Sequence, residues 1–207
     1  TDLAALTATV RVNTGVPLLV DPRWWSAGPL GIAGDASVSQ HEGGYGGNVL
    51  HYTFSGVWSA AARRYCDIST LELYTVAFIV VIAGSRAGLS GRRLVVRSDN
   101  DPAVKAINKR SSLKPPMAAA IRAVDAACEA FGIEILMEHL PGERNVIADA
   151  LSRHGHERAV TLLRRLAGRE PVHCELPDEW TTGPPMRAML RVARRWRPTG
   201  VRHGSAV

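Results

Sequence analysis

The sequence predicts an α/β fold: a mixed β-sheet with helices on its faces, followed by a basic C-terminal extension. Three observations predict it. Short β-prone segments and longer helix-prone segments run in the order three strands, helix, strand, helices, strand, helix, the pattern of a sheet covered by helices. The helix-prone segments carry start and stop residues at their ends. The charge is unevenly placed: residues 1–150 hold fourteen basic and fourteen acidic side chains, whereas residues 151–207 hold eleven arginines against five acids.

Residues 1–20 are mildly apolar and give no sharp signal. "DPRWW" (21–25) sets two tryptophans before a Gly/Pro turn and reads as packing against a core edge. "LGIAGDASVSQ" (30–40) alternates small and apolar residues, a strand with Asp35 midway. "HEGGYGGNVLHYTFSGVW" (41–58) has turn glycines and then β-prone residues, which predicts two more strands in a meander. Its glycine cluster is a weak phosphate-loop signal, because no Gly-Lys-Ser/Thr follows. "STLELYTVAFIVVIAG" (69–84) reads as a helix with Ser69 as N-cap, Glu72 three residues on in the first turn, and Gly84 as its stop. "RRLVVRSD" (92–99) is a short buried strand, and Asp101-Pro102 then caps the next helix. The Ala-rich segment 113–132 is a long helix ended by Gly132, and "IEILMEHL" (133–140) alternates as a strand. Pro141-Gly142 turns the chain, and Asn145 caps the helix that carries Asp149. One further helix is expected over roughly 156–168; the Pro-, Gly- and Arg-rich remainder reads as flexible.

With 207 residues, 46% of them hydrophobic and 21% charged, the chain can bury a substantial core. No apolar run reaches membrane-spanning length, the longest lying around Val76–Ala83, so no membrane partner is expected. No secretory leader is read, and a chain that begins at Thr1 is taken as a piece of a longer protein. Cys66, Cys128 and Cys174 are widely separated and form no CxxC pair. That argues for a reducing, intracellular compartment, cytoplasmic or nuclear, and against a disulfide frame or zinc knuckle. The net charge of +6 resides in the C-terminal quarter and suggests contact with a polyanion, a merely solvated tail being the bland alternative.

The acids carry the chemical signal. Asp35 lies in a strand, Glu72 in the first long helix, Asp99 at the end of the fourth strand and Asp149 in the last core helix. Strand interiors disfavour aspartate, whose short side chain competes for backbone hydrogen bonds. A shared metal site explains such placements, because a divalent cation removes the repulsion and desolvation cost of gathered carboxylates. Oxygen-only ligands point to Mg²⁺ or Mn²⁺ rather than zinc.

The segments "GIAGDAS", "STLELYTV", "VVRSDN" and "HLPGERNVIADALSR" resemble, in order, the four motif blocks of a ribonuclease H domain. The last block resembles that domain in retrotransposon reverse transcriptases, DIRS-like or Ty3-like. The resemblance spans about Asp21 to Arg153. It implies a ribonuclease H-like fold: a five-stranded mixed sheet, three antiparallel strands then two parallel, flanked by helices. The chain then divides into a lead-in (1–25), the nuclease domain (26–153) and the basic extension (154–207). It also implies a metal-binding quartet of Asp35, Glu72, Asp99 and Asp149 holding two Mg²⁺ ions, with Mn²⁺ able to substitute. His139 is the candidate for the catalytic histidine. The implied activity is hydrolysis of the RNA strand of RNA–DNA hybrids, beside an upstream reverse transcriptase polymerase domain. Substrate contacts are expected from Lys105, Lys109, Arg110 and Lys114, with Asn100 and Asn108 beside them.

Each acid alone has a plainer reading. Glu72 could partner Ser69 in a capping box, Asp149 could be a first-turn acid, Asp35 a turn residue beside Gly34, and Asp99 part of a capping cluster with Asn100 and Asp101. The joint pattern outweighs these readings. His139 alone reads as structural, His154 and His156 as a solvated loop, and the 105–114 cluster equally well as wet surface. Trp24, Trp25 and Trp58 read as core. Two functional alternatives stay open: a non-catalytic module of the same fold that binds nucleic acid or protein, and a DNA-acting nuclease or transposase.

Overall fold

The computed structural model describes residues 21–26, 31–38, 43–153, 155–168 and 170–196. The readings made for residues 1–20, His154, the ends of the strand expected over 30–40 and residues 197–207 lie outside them.

Among the described residues the sheet has seven strands. A meander forms first: β2 (Ile32–Ala36), β3 (Gly44–Val49) and β4 (Tyr52–Val57) pair antiparallel, from Ile32 opposite Val49 and from Val49 opposite Tyr52. β5 (Arg92–Ser98) then joins β2 in parallel, Ala33 opposite Arg97, and β6 (Glu134–His139) joins β5 in parallel along its length. These are the five strands expected. Two short parallel strands extend the count. β1 (Asp21–Trp25) lines the first half of β5, and β7 (Val172–His173) lies against β4. The parallel pairings require long crossovers, which the helices supply. One consequence governs the site. β2, β5 and β6 point the same way, so Asp35, Asp99 and His139 all arrive at one end of the sheet.

The helices between these strands are α1 (Ala60–Tyr65) and α2 (Ile68–Ser85), then α3 (Asp101–Asn108) and α4 (Pro115–Phe131). α2 is buried on every side from Ser69 to Ala83, which explains its apolar composition all round. Ile68–Ser85 is long and apolar enough to cross a membrane, but 83% of it lies inside the domain as a core helix. Its start differs from the sequence expectation. Asp67, not Ser69, is the N-cap and accepts from the Thr70 amide at 2.9 Å, which places Glu72 beyond the first turn. Gly84 is not a stop either. A Cβ there would lie 2.2 Å from Phe131 Cγ, so glycine allows α2 and α4 to meet. Asn100, rather than Asp101, caps α3, its Oδ1 accepting from the Ala103 amide at 3.0 Å.

α5 (Val146–Ser152) and α6 (His156–Ala167) follow β6 and share a small core of Ile147, Ala150, Leu151, Ala159 and Leu163. The glycine cluster finds its reason here. A Cβ on Gly44 would sit 2.3 Å from the Ser152 carbonyl oxygen, and one on Gly46 would sit 2.4 Å from Leu151 Cβ. Glycine lets α5, the carrier of Asp149, lie directly on β3.

The expectation of a flexible segment after α6 is corrected. α7 (Asp178–Thr181) and α8 (Pro184–Arg195) are folded against the domain. Cys174, Trp180, Met186, Met189 and Ala193 belong to the main core, and the Tyr74 hydroxyl donates to the Trp180 carbonyl at 3.0 Å. Of the tryptophans expected in the core, Trp58 is buried and Trp25 packs against the core, but Trp24 is 43% exposed beneath the Arg93 guanidinium.

Gly46→Ala should force α5 off the sheet and destabilise the domain by about 1–3 kcal/mol, the usual cost of overpacking. Urea unfolding checks this; an unchanged midpoint would mean that the close approach of α5 is not needed.

Candidate metal centre

Asp35 and Glu72 are buried and Asp99 is half-buried; one carboxylate oxygen from each lies within 4.8 Å of the others. Asp35 comes from β2, opposite Gly46, whose missing side chain leaves room for α5 above it. The Ser152 hydroxyl, at the end of α5, donates to Asp35 Oδ2. Ser152 is itself positioned by the Ser37 hydroxyl, which donates to its carbonyl at 2.7 Å. Glu72, one turn into α2, accepts from the Ala36 amide at Oε1 (3.0 Å) and from the Ser98 hydroxyl at Oε2 (3.3 Å). It is thereby pinned to the ends of both parallel strands.

Asp99 follows β5. The fully enclosed Asn145 side chain donates through Nδ2 to the Gly34 carbonyl (3.3 Å) and reaches Asp99 Oδ1 at 3.5 Å. Asn145 does occupy the N-cap position of α5, but its side chain makes no cap bond. Its Oδ1 is buried and has no hydrogen-bond partner among the described residues. The sequence marked Asn145 as a cap and Ser152 not at all; the structure makes both of them supports of the acids. The only sequence signal for either role was position, one on each side of Asp149.

Asp149 stands beside the three-acid cluster. Its charge reaches Asp35, and its Oδ1 accepts from Arg153 Nε at 2.5 Å. His139 is exposed at the end of β6, opposite Ser98 and so one residue from Asp99, at the rim rather than in the cluster.

Electrostatics fit a cation. Burial, and then the charges of Asp99 and Asp149, push the Asp35 carboxyl up, against the opposing hydrogen bonds from Ser152 and Glu72. Burial, followed by the charge of Asp35, raises Glu72 well above the usual carboxylate range. Without a cation, burial and mutual repulsion disfavour the charged form of both inner carboxyls. Three converging oxygens with no nitrogen or sulfur suit a hard divalent ion such as Mg²⁺ or Mn²⁺.

The expected substrate residues divide. Asn108 clamps β6 to α3, its Nδ2 donating to the Met137 carbonyl (2.8 Å) and its Oδ1 accepting from the Met137 amide (2.9 Å). Asn100 is spent on its cap. Both side chains are thus steadied by the main chain. Lys105 pairs with Asp101, Arg110 with Asp125 and Lys114 with Asp67, while Lys109 is exposed with no acidic partner among the described residues.

Residues 87–155 match the family model described as reverse transcriptase-like. The fold is a mixed β-sheet flanked by helices. Similar solved structures include the N-terminal RNase H domain of Rv2228c from Mycobacterium tuberculosis, solved as a fusion with maltose-binding protein. It is 17% identical with a TM-score of 0.45, over 66% of this chain and 97% of that one. RNase H1 from the halophilic archaeon Halobacterium salinarum is 12% identical with a TM-score of 0.47, over 61% and 96%. LC11-RNase H1, isolated from compost by a metagenomic approach, is 18% identical with a TM-score of 0.43, over 62% and 95%. No curated protein matches the chain.

The raised inner pair sets the pH dependence of the metal-free protein. Its stabilising contribution is full below the ordinary carboxylate range, about pH 4, and is lost as pH rises through the raised values. Glu72→Gln should therefore melt higher than the parent at pH 8 and gain little at pH 5, by about 2–4 °C per kcal/mol relieved. Thermal melts of both proteins in chelator check this, and equal melting at pH 8 would contradict it.

Proposed function

We propose that this chain is a metal-dependent endoribonuclease that hydrolyses the RNA strand of RNA–DNA hybrids, as the ribonuclease H domain of a retroelement reverse transcriptase polyprotein. The observation that carries the reading is the convergence of Asp35, Glu72 and Asp99 within 4.8 Å, with Asp149 beside them. Asp35, Glu72, Asp99 and Asp149 would hold the divalent cations, Mg²⁺ or Mn²⁺. Bound there, such cations supply Lewis-acid stabilisation of phosphate charge and a more acidic water.

The protein's own contribution is preorganisation. Ser152 fixes one oxygen of Asp35, Ala36 and Ser98 fix both oxygens of Glu72, and Asn145 steadies Asp99. The acids are thus held in place before substrate arrives, so no rearrangement cost falls on the reaction. Arg153 pairs with Asp149 at the rim in the metal-free protein. His139, exposed at the end of β6, would help product leave. RNA would be recognised through 2′-hydroxyls across its shallow minor groove. Lys109, exposed beyond α3, is the member of the 105–114 cluster with a charge free for phosphate. The buried, free Cys66, Cys128 and Cys174 support an intracellular setting, cytoplasmic or nuclear.

A cleavage assay on matched hybrid, double-stranded RNA and double-stranded DNA tests the reading. The expected result is Mg²⁺-dependent cutting of the RNA strand of the hybrid alone. Asp99→Asn should lower that rate by about 10²–10³-fold, the scale for losing one group that stabilises developing charge, while hybrid binding persists. Cutting by Asp99→Asn at the parent's rate would overturn the assignment. Cutting of double-stranded DNA instead would favour a DNA-acting nuclease.

A further inference from the structure

α8 ends the described part of the chain and carries no acidic residue; its sequence is PPMRAMLRVARR. Met186, Met189 and Ala193 are buried on one side. Arg187, Arg191, Arg194 and Arg195 recur at helical spacing on the other, and all four are exposed. Three exposed arginines elsewhere are balanced, Arg110 by Asp125, Arg153 by Asp149 and Arg164 by Glu170. No arginine of α8 has an ion pair among the described residues. Arg187 donates to the Thr182 carbonyl at 2.9 Å, and Arg194 lies over the Tyr65 ring at 5.4 Å. Four like charges on one face repel one another at these spacings, offset only in part by the helix C-terminus at Arg194 and Arg195.

Arg122 of α4 adds a fifth cation. With Arg191 it lines a groove of about 280 Å³ that Ala119, Ala123, Ala126 and Ala188 also line. The placement of the face is also informative. Tyr65, under Arg194, lies two residues before Asp67, the N-cap of the helix that carries Glu72. The basic face therefore runs toward the end of the domain that holds the acids.

We propose that α8 is a second nucleic-acid contact, a ladder of arginines that grips the phosphate backbone of a duplex outside the metal centre. It rests on the reading that the substrate is a nucleic acid. Arg191 and Arg195 stand one helical turn apart, about 6 Å along the axis, with no ion pair among the described residues. Contacts of this kind carry no sequence or sugar preference and release counterions, so they register in the salt dependence of affinity.

The test is the affinity of the full chain for a labelled hybrid and for duplex DNA, measured in chelator between about 50 and 200 mM salt. Arg191→Gln should reduce the slope of log affinity against log salt by about 1, and Arg191→Gln with Arg195→Gln by about 2, equally for both duplexes. Arg165→Gln, an exposed arginine of α6, should leave the slope unchanged, and thermal melts of all variants should match the parent. An unchanged slope in the double variant would overturn the proposal and leave an acidic protein as the partner of this face. Hybrid cleavage by the parent is scored separately. Cleavage with no slope change sinks only this inference, and a slope change without cleavage sinks only the nuclease reading.

Discussion

Three carboxylates held within 4.8 Å of one another, two of them buried, are the constraint that the rest of the domain serves. Left to itself such a cluster spreads apart or takes up protons, because burial and like charge both disfavour ionisation. The fold prevents the first escape. Parallel β2 and β5 deliver Asp35 and Asp99 to one end of the sheet, and α2 brings Glu72 over them. The glycines of β3 let α5 close from the other side with Ser152 and Asp149. The second escape is favoured, since burial and the charge of Asp35 raise Glu72 well above the usual carboxylate range in the metal-free state. A site of this kind gives up stability in one state to be ready for a cation in another, a common pattern at functional centres.

The supports around the acids are as informative as the acids. Ser152 and Asn145 flank Asp149 in the sequence and reach back to Asp35 and Asp99, so one short helix orders three of the four carboxylates at once. Asn145 gives up its capping bond to do so and leaves Oδ1 unpaired in the interior. An unpaired buried oxygen costs about 1–3 kcal/mol, and it is retained where the geometry of Asp99 depends on the same side chain.

Much of this was legible in the sequence, for a local reason. Aspartates inside β-prone segments, proline at helix starts and Gly132 in the left-handed conformation all leave marks within a few residues of where they act. What was not legible depends on contacts distant in sequence. Ser69 and Asp67 compete as caps only two residues apart, and which one wins is decided by where the buried face of α2 must begin. The GGYGG glycines read as a loop motif because their reason, α5, lies about a hundred residues away. The clamp of Asn108 on Met137 was not legible either, because nothing near Asn108 in sequence reveals that β6 will lie beside it. α8 was misread through composition. Its Met186, Met189 and Ala193 spacing marks an amphipathic helix, but the surrounding Pro, Gly and Arg masked that periodicity.

The central claim is that these acids form one cation site. Crystals grown with Mn²⁺ and measured at an energy where manganese scatters anomalously test it directly. The account predicts an anomalous peak bonded to oxygens of Asp35, Glu72 and Asp99, with Ser152 and Asn145 in the positions described. A peak confined to solvent-facing Asp149, or three carboxylates turned apart with no metal between them, would contradict it.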